Sequence, residues 1–268
     1  LMRLFLLLPA LAALAVPICG FGQQYPIAPF HSAVDGIGQV FGPAPVIASP
    51  SLAQAATGTP RSRPEVKVGG RVERPEIRVG DLWRYQITDT LTNLTEAISI
   101  EVTSVTESRI HTRSSRASSV AASRSTADGV SEVWDRDWNQ LSSGTIVYVP
   151  FYPALQFPLE PGKQWRGSVQ WNSGSGMLRH DLTTQVTGWE RVTVPAGTFD
   201  ALRMNVRGYI SETGTINYYP QMGSISNVIW YAPAIGQIVK KEIGYIDNSP
   251  IALGRLSERW ELAEYRPN

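Results

Sequence analysis

Alternation of apolar and polar residues with a period of two constrains this chain more than any other feature. It starts at Trp83 and recurs in separate segments up to Leu262, whereas no comparable stretch follows the helical period. Strands with one apolar and one polar face are typical of antiparallel sheets, so the sequence predicts an all-β domain. A slip of phase before Val105 predicts a β-bulge. The apolar sets are Trp83, Tyr85 and Ile87; Ile98, Ile100 and Val102; Trp165, Val169 and Trp171; Leu202, Met204 and Val206; and Leu256, Trp260 and Leu262.

The first 22 residues have the features of a signal peptide. Arg3 provides the positive charge, Leu4 to Val16 forms an apolar run, and Gly20-Phe21-Gly22 gives a small-x-small cleavage site. Because the run is too short to span a bilayer, we expect export to the periplasm or the outer membrane. Cys19, the only cysteine, is either removed with this segment or becomes the lipidated first residue of a lipoprotein. The preceding residue, Ile18, is not the usual small residue of a lipidation site.

Residues 23–77 are predicted to form a disordered linker. Pro, Ala, Gly and Ser account for 22 of the 42 residues from 23 to 64, and no tryptophan precedes Trp83. Such a composition cannot bury enough apolar surface to offset the chain entropy lost on folding. We therefore expect a signal peptide over 1–22, a linker over 23–77 and one β domain over 78–268.

The charge of the β domain excludes one class of partner. The whole chain has a formal net charge of +1, but residues 79–268 hold 17 basic and 19 acidic side chains, a net charge of −2. A nucleic-acid-binding protein needs a concentrated basic face, so we expect no nucleic acid. Contact with a membrane is expected only through a lipid on Cys19.

Two segments that lie 82 residues apart resemble each other. The run from Gly80 to Arg84 has the sequence GDLWR, and the run from Gly162 to Arg166 has the sequence GKQWR. Two related β-meanders that wrap into one barrel or half-barrel would explain the similarity. Coincidence between two strands that begin with tryptophan would explain it equally well, because β sequences are alike in composition.

Four motifs in the second half of the chain resemble a known family. They are FPLEPGKQW from Phe157, VTVPAGTFDAL from Val192, WYAPAIGQIVKKE from Trp230 and ELAEY from Glu261. In this order they resemble exported bacterial domains of unknown function with a YmcC-like β fold. The resemblance spans about residues 78–266 and implies a large antiparallel sheet curled into a barrel-like shell in the cell envelope. It brings no established catalytic residue.

The motif that begins at Val192 also has a purely structural explanation. Pro195-Ala196-Gly197-Thr198 has the composition of a tight turn, in which proline fixes its own φ and glycine takes a positive φ. Valines precede this turn and Phe199 follows it, so it is expected to join two core strands.

His180 is the histidine whose parity predicts an inward position, because it shares its face with Leu178 and Leu182. A buried histidine most often only satisfies its hydrogen bonds. Alternatively it lines a ligand cavity, with Trp165 and Trp171 as neighbours if their strand pairs with its own. His180, Trp165 and Trp171 are therefore the candidate ligand-binding residues.

Motifs of known catalytic chemistry are missing from the sequence. It has no HExxH or CxxC metal-binding spacing, no GxSxG nucleophile motif and no glycine-rich phosphate loop. Asp135 and Asp137 are candidates for an acid–base pair, although two acids on one strand face more simply form a solvated surface. We predict no catalytic residue, no metal site and no cofactor.

Together these observations predict a non-catalytic domain of the cell envelope that binds an apolar ligand or an envelope protein. One alternative is a hydrolase that acts on envelope polysaccharide or lipid, and another is a structural or assembly factor. Space inside the shell would favour ligand binding over a structural role. A convergent carboxylate pair in a cleft would favour the hydrolase.

Overall fold

The computed structural model describes residues 68–118, 129–172, 176–213, 222–247 and 255–268. The predicted signal peptide, Cys19 and most of the predicted linker lie outside these ranges. Within them, no helix is long and apolar enough to cross a membrane. The strands are β1 Leu82–Asp89, β2 Thr95–Val105, β3 Arg109–Ser118, β4 Val130–Asp135, β5 Gln140–Ser143, β6 Ile146–Tyr152, β7 Gln164–Asn172, β8 Met177–Val194, β9 Gly197–Thr213, β10 Met222–Ala232, β11 Gln237–Asp247 and β12 Arg255–Arg266.

These strands form one closed antiparallel barrel. Each strand pairs with its neighbours in sequence, and β1 pairs with β12 to complete the ring. Antiparallel neighbours need only short connections, so a chain of successive hairpins is sufficient to build the wall. The prediction of an all-β antiparallel fold is confirmed, and of the two predicted shapes the closed barrel is the one that forms.

The predicted alternation places the expected side chains inside the barrel. On β1, Trp83, Tyr85 and Ile87 are buried, whereas Arg84 and Gln86, which alternate with them, are exposed. The predicted bulge is also present, because the register of β2 against β3 shifts between Val102 and Ser104. Burial of one face and pairing of every strand edge favour closure of the sheet on itself.

The two similar segments have the same local geometry. Gly80 and Gly162 both have positive φ, +90° and +88°. The Gly80 N–H donates to the Val102 carbonyl at 2.8 Å, and the Gly162 N–H donates to the Val186 carbonyl at 2.9 Å. Each segment begins a half-barrel of six strands, β1–β6 and β7–β12. This correspondence favours two related meanders over coincidence.

The end of the barrel at which β1 and β7 begin is covered by the chain that precedes them. Val72 forms an antiparallel bridge with Leu159, and both residues are buried in the core together with Ile77. Trp83 packs against Trp138 below this cover, with 5.6 Å between ring centroids. The packed part of the chain therefore reaches Val72, ahead of the expected boundary of the β domain, because these apolar side chains gain by leaving water.

The wall has one loosely paired seam, between β6 and β7. A single pair, Val149 with Gln170, joins these strands in register, whereas β7 pairs with β8 along its full length. On the β6 side of the seam Val147 and Val149 are 61% and 55% exposed. Separation of the two strands at this seam would break fewer backbone hydrogen bonds than separation anywhere along β7 and β8.

Candidate ligand site inside the barrel

Four rings meet inside the barrel behind this seam. The His180 ring lies 4.6 Å from the Trp171 ring and 5.7 Å from the Tyr152 ring, measured between centroids. The Tyr148 ring lies 5.5 Å from the Trp171 ring. Such distances are typical of edge-to-face packing, which adds to the stability gained from burial. We call Tyr148, Tyr152, Trp171 and His180 the aromatic cluster.

His180 occupies the inward position that its parity predicted. It is 4% exposed and lies opposite Val169 in the register of β7 and β8. Burial lowers its pKa from 6.5 to about 3, and the nearby Asp181 carboxylate only partly opposes this shift. At neutral pH His180 therefore contributes an uncharged ring to the aromatic cluster.

The two candidate tryptophans lie in different places. Trp171 belongs to the aromatic cluster, but Trp165 lies opposite Thr184, four residues along β8 from His180. This separation is about 13 Å along the strand. The structure thus brings together two of the three candidate residues, and their role in ligand binding stays a prediction. The candidate lipidation site, Cys19, lies outside the described residues.

A buried carboxyl group, that of Glu132 on β4, forms the centre of a second interior group. The Thr112 hydroxyl donates to Glu132 Oε2 at 3.1 Å, Gln140 Nε2 donates to Oε1 at 3.4 Å, and the Ser114 and Ser143 hydroxyls also bond to this carboxyl group. Burial outweighs these bonds and raises the pKa of Glu132 from 4.5 to about 8. At neutral pH Glu132 is therefore protonated. The serine and threonine hydroxyl oxygens around it are acceptors for its proton, and Gln140 Oε1 nearby has no hydrogen-bond partner among the described residues.

Lys241 on β11 is a cation inside the barrel. Its ammonium group lies 4.4 Å from the centroid of the Trp260 ring, and Trp260 Nε1 donates to Glu258 Oε2 at 2.9 Å. Burial lowers the pKa of Lys241 to about 8, although Glu258 and Glu132 act in the opposite direction. The ammonium group therefore remains mostly charged at neutral pH, and it lies over an aromatic face.

The preceding residue, Lys240, lies on the other side of the wall. Its ammonium group lies 4.7 Å from the centroid of the Trp230 ring and 2.9 Å from the Glu242 carboxylate, both on the outer face. Because successive residues of a strand point to opposite faces, the adjacent lysines provide a natural pair of test and control positions.

The aromatic cluster and Lys241 both face the interior of the barrel. The Glu132 carboxyl group acts electrostatically on both Tyr148 and Lys241. Tyr152 and Lys241 point inward, yet both keep some solvent-accessible surface. About eight strands enclose an interior that side chains can fill, and a twelve-stranded ring is wider. Tyr152 in the aromatic cluster and Lys241 are therefore the inward groups here that solvent still reaches in part.

Sequence reasoning missed Glu132 and Lys241. A signal for inward acids was present, because Glu132 shares parity with Trp134 and Glu258 shares parity with Trp260. Glutamate and lysine on a strand are ordinarily read as a solvated face. Only the register of the closed barrel assigns these charged residues to the interior.

The expectation that Asp135 and Asp137 lie together on one strand face is wrong. β4 ends at Asp135, whose Oδ1 accepts the backbone N–H groups of Asp137 and Asn139, each at 2.8 Å. Asp137 lies in the turn that follows and pairs with Arg74. Asp135 therefore closes a turn through its side chain, the usual structural role of aspartate at such a position.

The interior combines apolar rings and hydrogen-bonding groups with charged side chains, which include Lys241 and the ion pair of Arg116 with Glu96. Such a lining suits a molecule that has an apolar body and a polar end. In the part of the chain that the structure describes, no three His, Cys, Asp or Glu side chains are placed to hold a metal ion together.

No protein-family model and no curated protein matches the sequence. Similar solved structures include a protein described as a lipoprotein from Parabacteroides distasonis, with 14% identity and a TM-score of 0.43 over 73% of this chain and 99% of that chain. A protein from Bacteroides fragilis, described as exported and as having a YmcC-like fold, has 15% identity and a TM-score of 0.43 over the same shares. The hypothetical lipoprotein YmcC from Escherichia coli has 11% identity and a TM-score of 0.37 over 69% of this chain and 85% of that chain.

Proposed function

We propose that this protein is a non-catalytic, exported domain of the cell envelope that binds an apolar ligand with a polar end inside its barrel. One observation carries the proposal: Tyr152 and Lys241 point inward and yet keep accessible surface. Export rests on the signal-peptide pattern of residues 1–22. Its destination is the periplasm or the outer membrane, with a lipid on Cys19 as the anchor in the second case.

Different interior groups bind different parts of the ligand. The apolar body of the ligand packs against Tyr152 and Trp171, whose rings offer large apolar faces. Lys241 attracts the polar end and favours an anion there, although the carboxyl group of Glu258 already acts on its ammonium group. Glu132 does not repel an anion below about pH 8, because burial keeps its carboxyl group protonated. The loosely paired seam between β6 and β7 lies beside the aromatic cluster and provides a route of access.

Two fluorescent probes with similar apolar bodies test this proposal. N-phenyl-1-naphthylamine is neutral, whereas 1-anilinonaphthalene-8-sulfonate carries an anionic group. Both should bind the folded protein. Lys241→Met should weaken binding of the sulfonate probe about tenfold or more, the usual effect of losing one charge-assisted contact, and leave the neutral probe unaffected. Lys240→Met is the matched control, because Lys240 lies on the outer face.

Equal binding of the sulfonate probe by the two lysine variants would contradict the proposal, as would failure of either probe to bind. Thermal unfolding of each variant ensures that the comparison is made between folded proteins. Mass spectrometry of protein purified from its native envelope should also detect a co-purified small molecule, and the same spectrum would report an acyl group on Cys19.

A further inference from the structure

A groove of about 650 Å³ crosses the outer wall of the barrel over β7 to β10. Its volume falls within the range of roughly 300–1,000 Å³ that is usual for small-molecule sites. Two of the positions beneath it, Gly167 and Gly208, carry no side chain and lie opposite Leu182 from its two sides. A Cβ atom at Gly167 would meet the Pro153 ring, and one at Gly208 would meet the Asp181 carbonyl oxygen, so the wall beneath the groove is closely packed at both positions.

The outward side chains of the groove are arranged in two rows across four paired strands. Adjacent strands are about 4.8 Å apart, so residues two strands apart in one row are separated by about 10 Å, and the rows are about 7 Å apart. The first row is Arg166, Thr183, Arg207 and Ser226, and the second row is Ser168, Asp181, Tyr209 and Ser224.

The groove presents positive charge. Arg166 and Arg207 are exposed, and within the described ranges neither has a hydrogen bond or an ion pair. Asp181 is the only carboxylate in the lining, and Arg179 binds both of its oxygens at 2.9 Å. Hydrogen bonds from Arg179 and then from the Ser168 hydroxyl lower the pKa of Asp181. The acid is thus already neutralised, and the two arginines remain available for an anion.

The other side chains that line the groove indicate which class of anion it binds. Tyr209, which lies between Asp181 and Ser224 in the second row, is 73% exposed, so its flat ring is open to solvent. Four serine and threonine side chains, two in each row, are able both to donate and to accept hydrogen bonds. The aliphatic members of the lining, Leu182 and Ile225, are buried, so the groove offers little apolar surface to a lipid chain.

Addition of a peptide strand is also disfavoured at this place. β8 and β9 are paired on both sides, so their backbone groups are already used in the sheet. Recognition has to depend on side chains that stack, share hydrogen bonds and attract negative charge.

We infer that this groove binds an acidic oligosaccharide. Tyr209 stacks against the face of one sugar ring, the serine and threonine hydroxyls bond to sugar hydroxyls, and Arg166 and Arg207 bind carboxylates that lie about 10 Å apart. This site uses the outer wall only, so it stands or fails independently of ligand binding inside the barrel.

Calorimetric titration of the full-length protein with tetragalacturonate tests the inference, with the neutral tetrasaccharide maltotetraose as the matched probe. Tetragalacturonate should bind, and maltotetraose should bind at least tenfold more weakly. Arg166→Gln and Arg207→Gln should each weaken binding of tetragalacturonate about tenfold, the usual effect of losing one charge-assisted hydrogen bond. Arg113→Gln, a change at an exposed arginine on β3 outside the groove, should have no effect.

Tyr209→Ala should weaken the acidic and the neutral probe by the same factor, because stacking does not depend on charge. The inference is overturned if tetragalacturonate does not bind, if the double variant Arg166→Gln/Arg207→Gln binds it as the wild type does, or if both tetrasaccharides bind equally. Vesicles that contain phosphatidylglycerol serve as a further probe. Arginine-dependent binding to these vesicles without binding to tetragalacturonate would assign the groove to lipid headgroups and overturn the inference as well.

Discussion

Replacing Glu132 with glutamine isolates the effect of the buried carboxyl group on stability. Folding raises the pKa of Glu132 from 4.5 to about 8, so between these pH values the unfolded chain releases a proton that the folded chain keeps. Each pH unit in this window lowers the free energy of unfolding by about 1.4 kcal/mol, or about 5 kcal/mol over about 3.5 units. The contribution is fully present below pH 4.5 and is lost as the pH rises through about 8.

Glu132→Gln keeps the shape of the side chain and has no proton to release, so it should abolish this slope. Urea unfolding of both proteins at unit steps between about pH 5 and pH 8 measures it. The stability of the variant minus that of the wild type should increase by about 1.4 kcal/mol per unit, because all other titrating groups cancel in the difference. Glu107→Gln, in the exposed turn after β2, is the control and should show no slope. A difference for Glu132→Gln that is constant across the window would refute the reasoning.

Two further substitutions test the turn at Gly197 and the interior position of Lys241. Gly197 has φ +136°, as its place in the Pro195–Thr198 turn predicted. Gly197→Val should therefore lower the free energy of unfolding by about 1–3 kcal/mol through backbone strain. An unchanged midpoint of thermal unfolding would show that the positive φ is not required. Burial lowers the pKa of Lys241 to about 8, so wild-type stability is lost as the pH falls towards that value. The free energy of unfolding of Lys241→Met relative to wild type should therefore increase from about pH 10 to pH 8, whereas Lys240→Met should show no such trend. If the two variants showed the same dependence of stability on pH, an interior position of Lys241 would be contradicted.

The strands and their inward faces are predictable from sequence because burial on one face leaves a period-two pattern in every strand. His180 is the clearest case, since Leu178 and Leu182 on either side of it fix its parity. The turn at Gly197 is predictable for a different reason, namely that few residue types adopt its backbone conformation. Closure of the ring is not predictable in this way. The pairing of Leu82 with Arg266 joins the two ends of the domain, and no local pattern specifies it.

The interior positions of Glu132 and Lys241 are not predictable from sequence, because glutamate and lysine on average lie in solvent. Lys240 and Lys241 are identical in type and adjacent in sequence, so composition cannot say which one points inward. The register of β10 against β11 also shifts between Trp230 and Tyr231, so counting alternate residues along the sequence does not show which lysine faces inward. The groove on the outer wall is equally hidden, because Arg166 and Arg207 are 41 positions apart and become neighbours only through the pairing of three strands.

The single register pair between β6 and β7 affects the mechanics of the whole ring. The two seams between the half-barrels are unequal, since β1 and β12 are paired over the full length of β1, while the opposite seam has only Val149 with Gln170. Because the β6–β7 seam has the fewest register pairs in the described wall, it is the place where the ring opens with the loss of the fewest backbone hydrogen bonds. Under the proposed function, the size of the ligand therefore depends on how far this seam opens and not only on the volume of the closed interior.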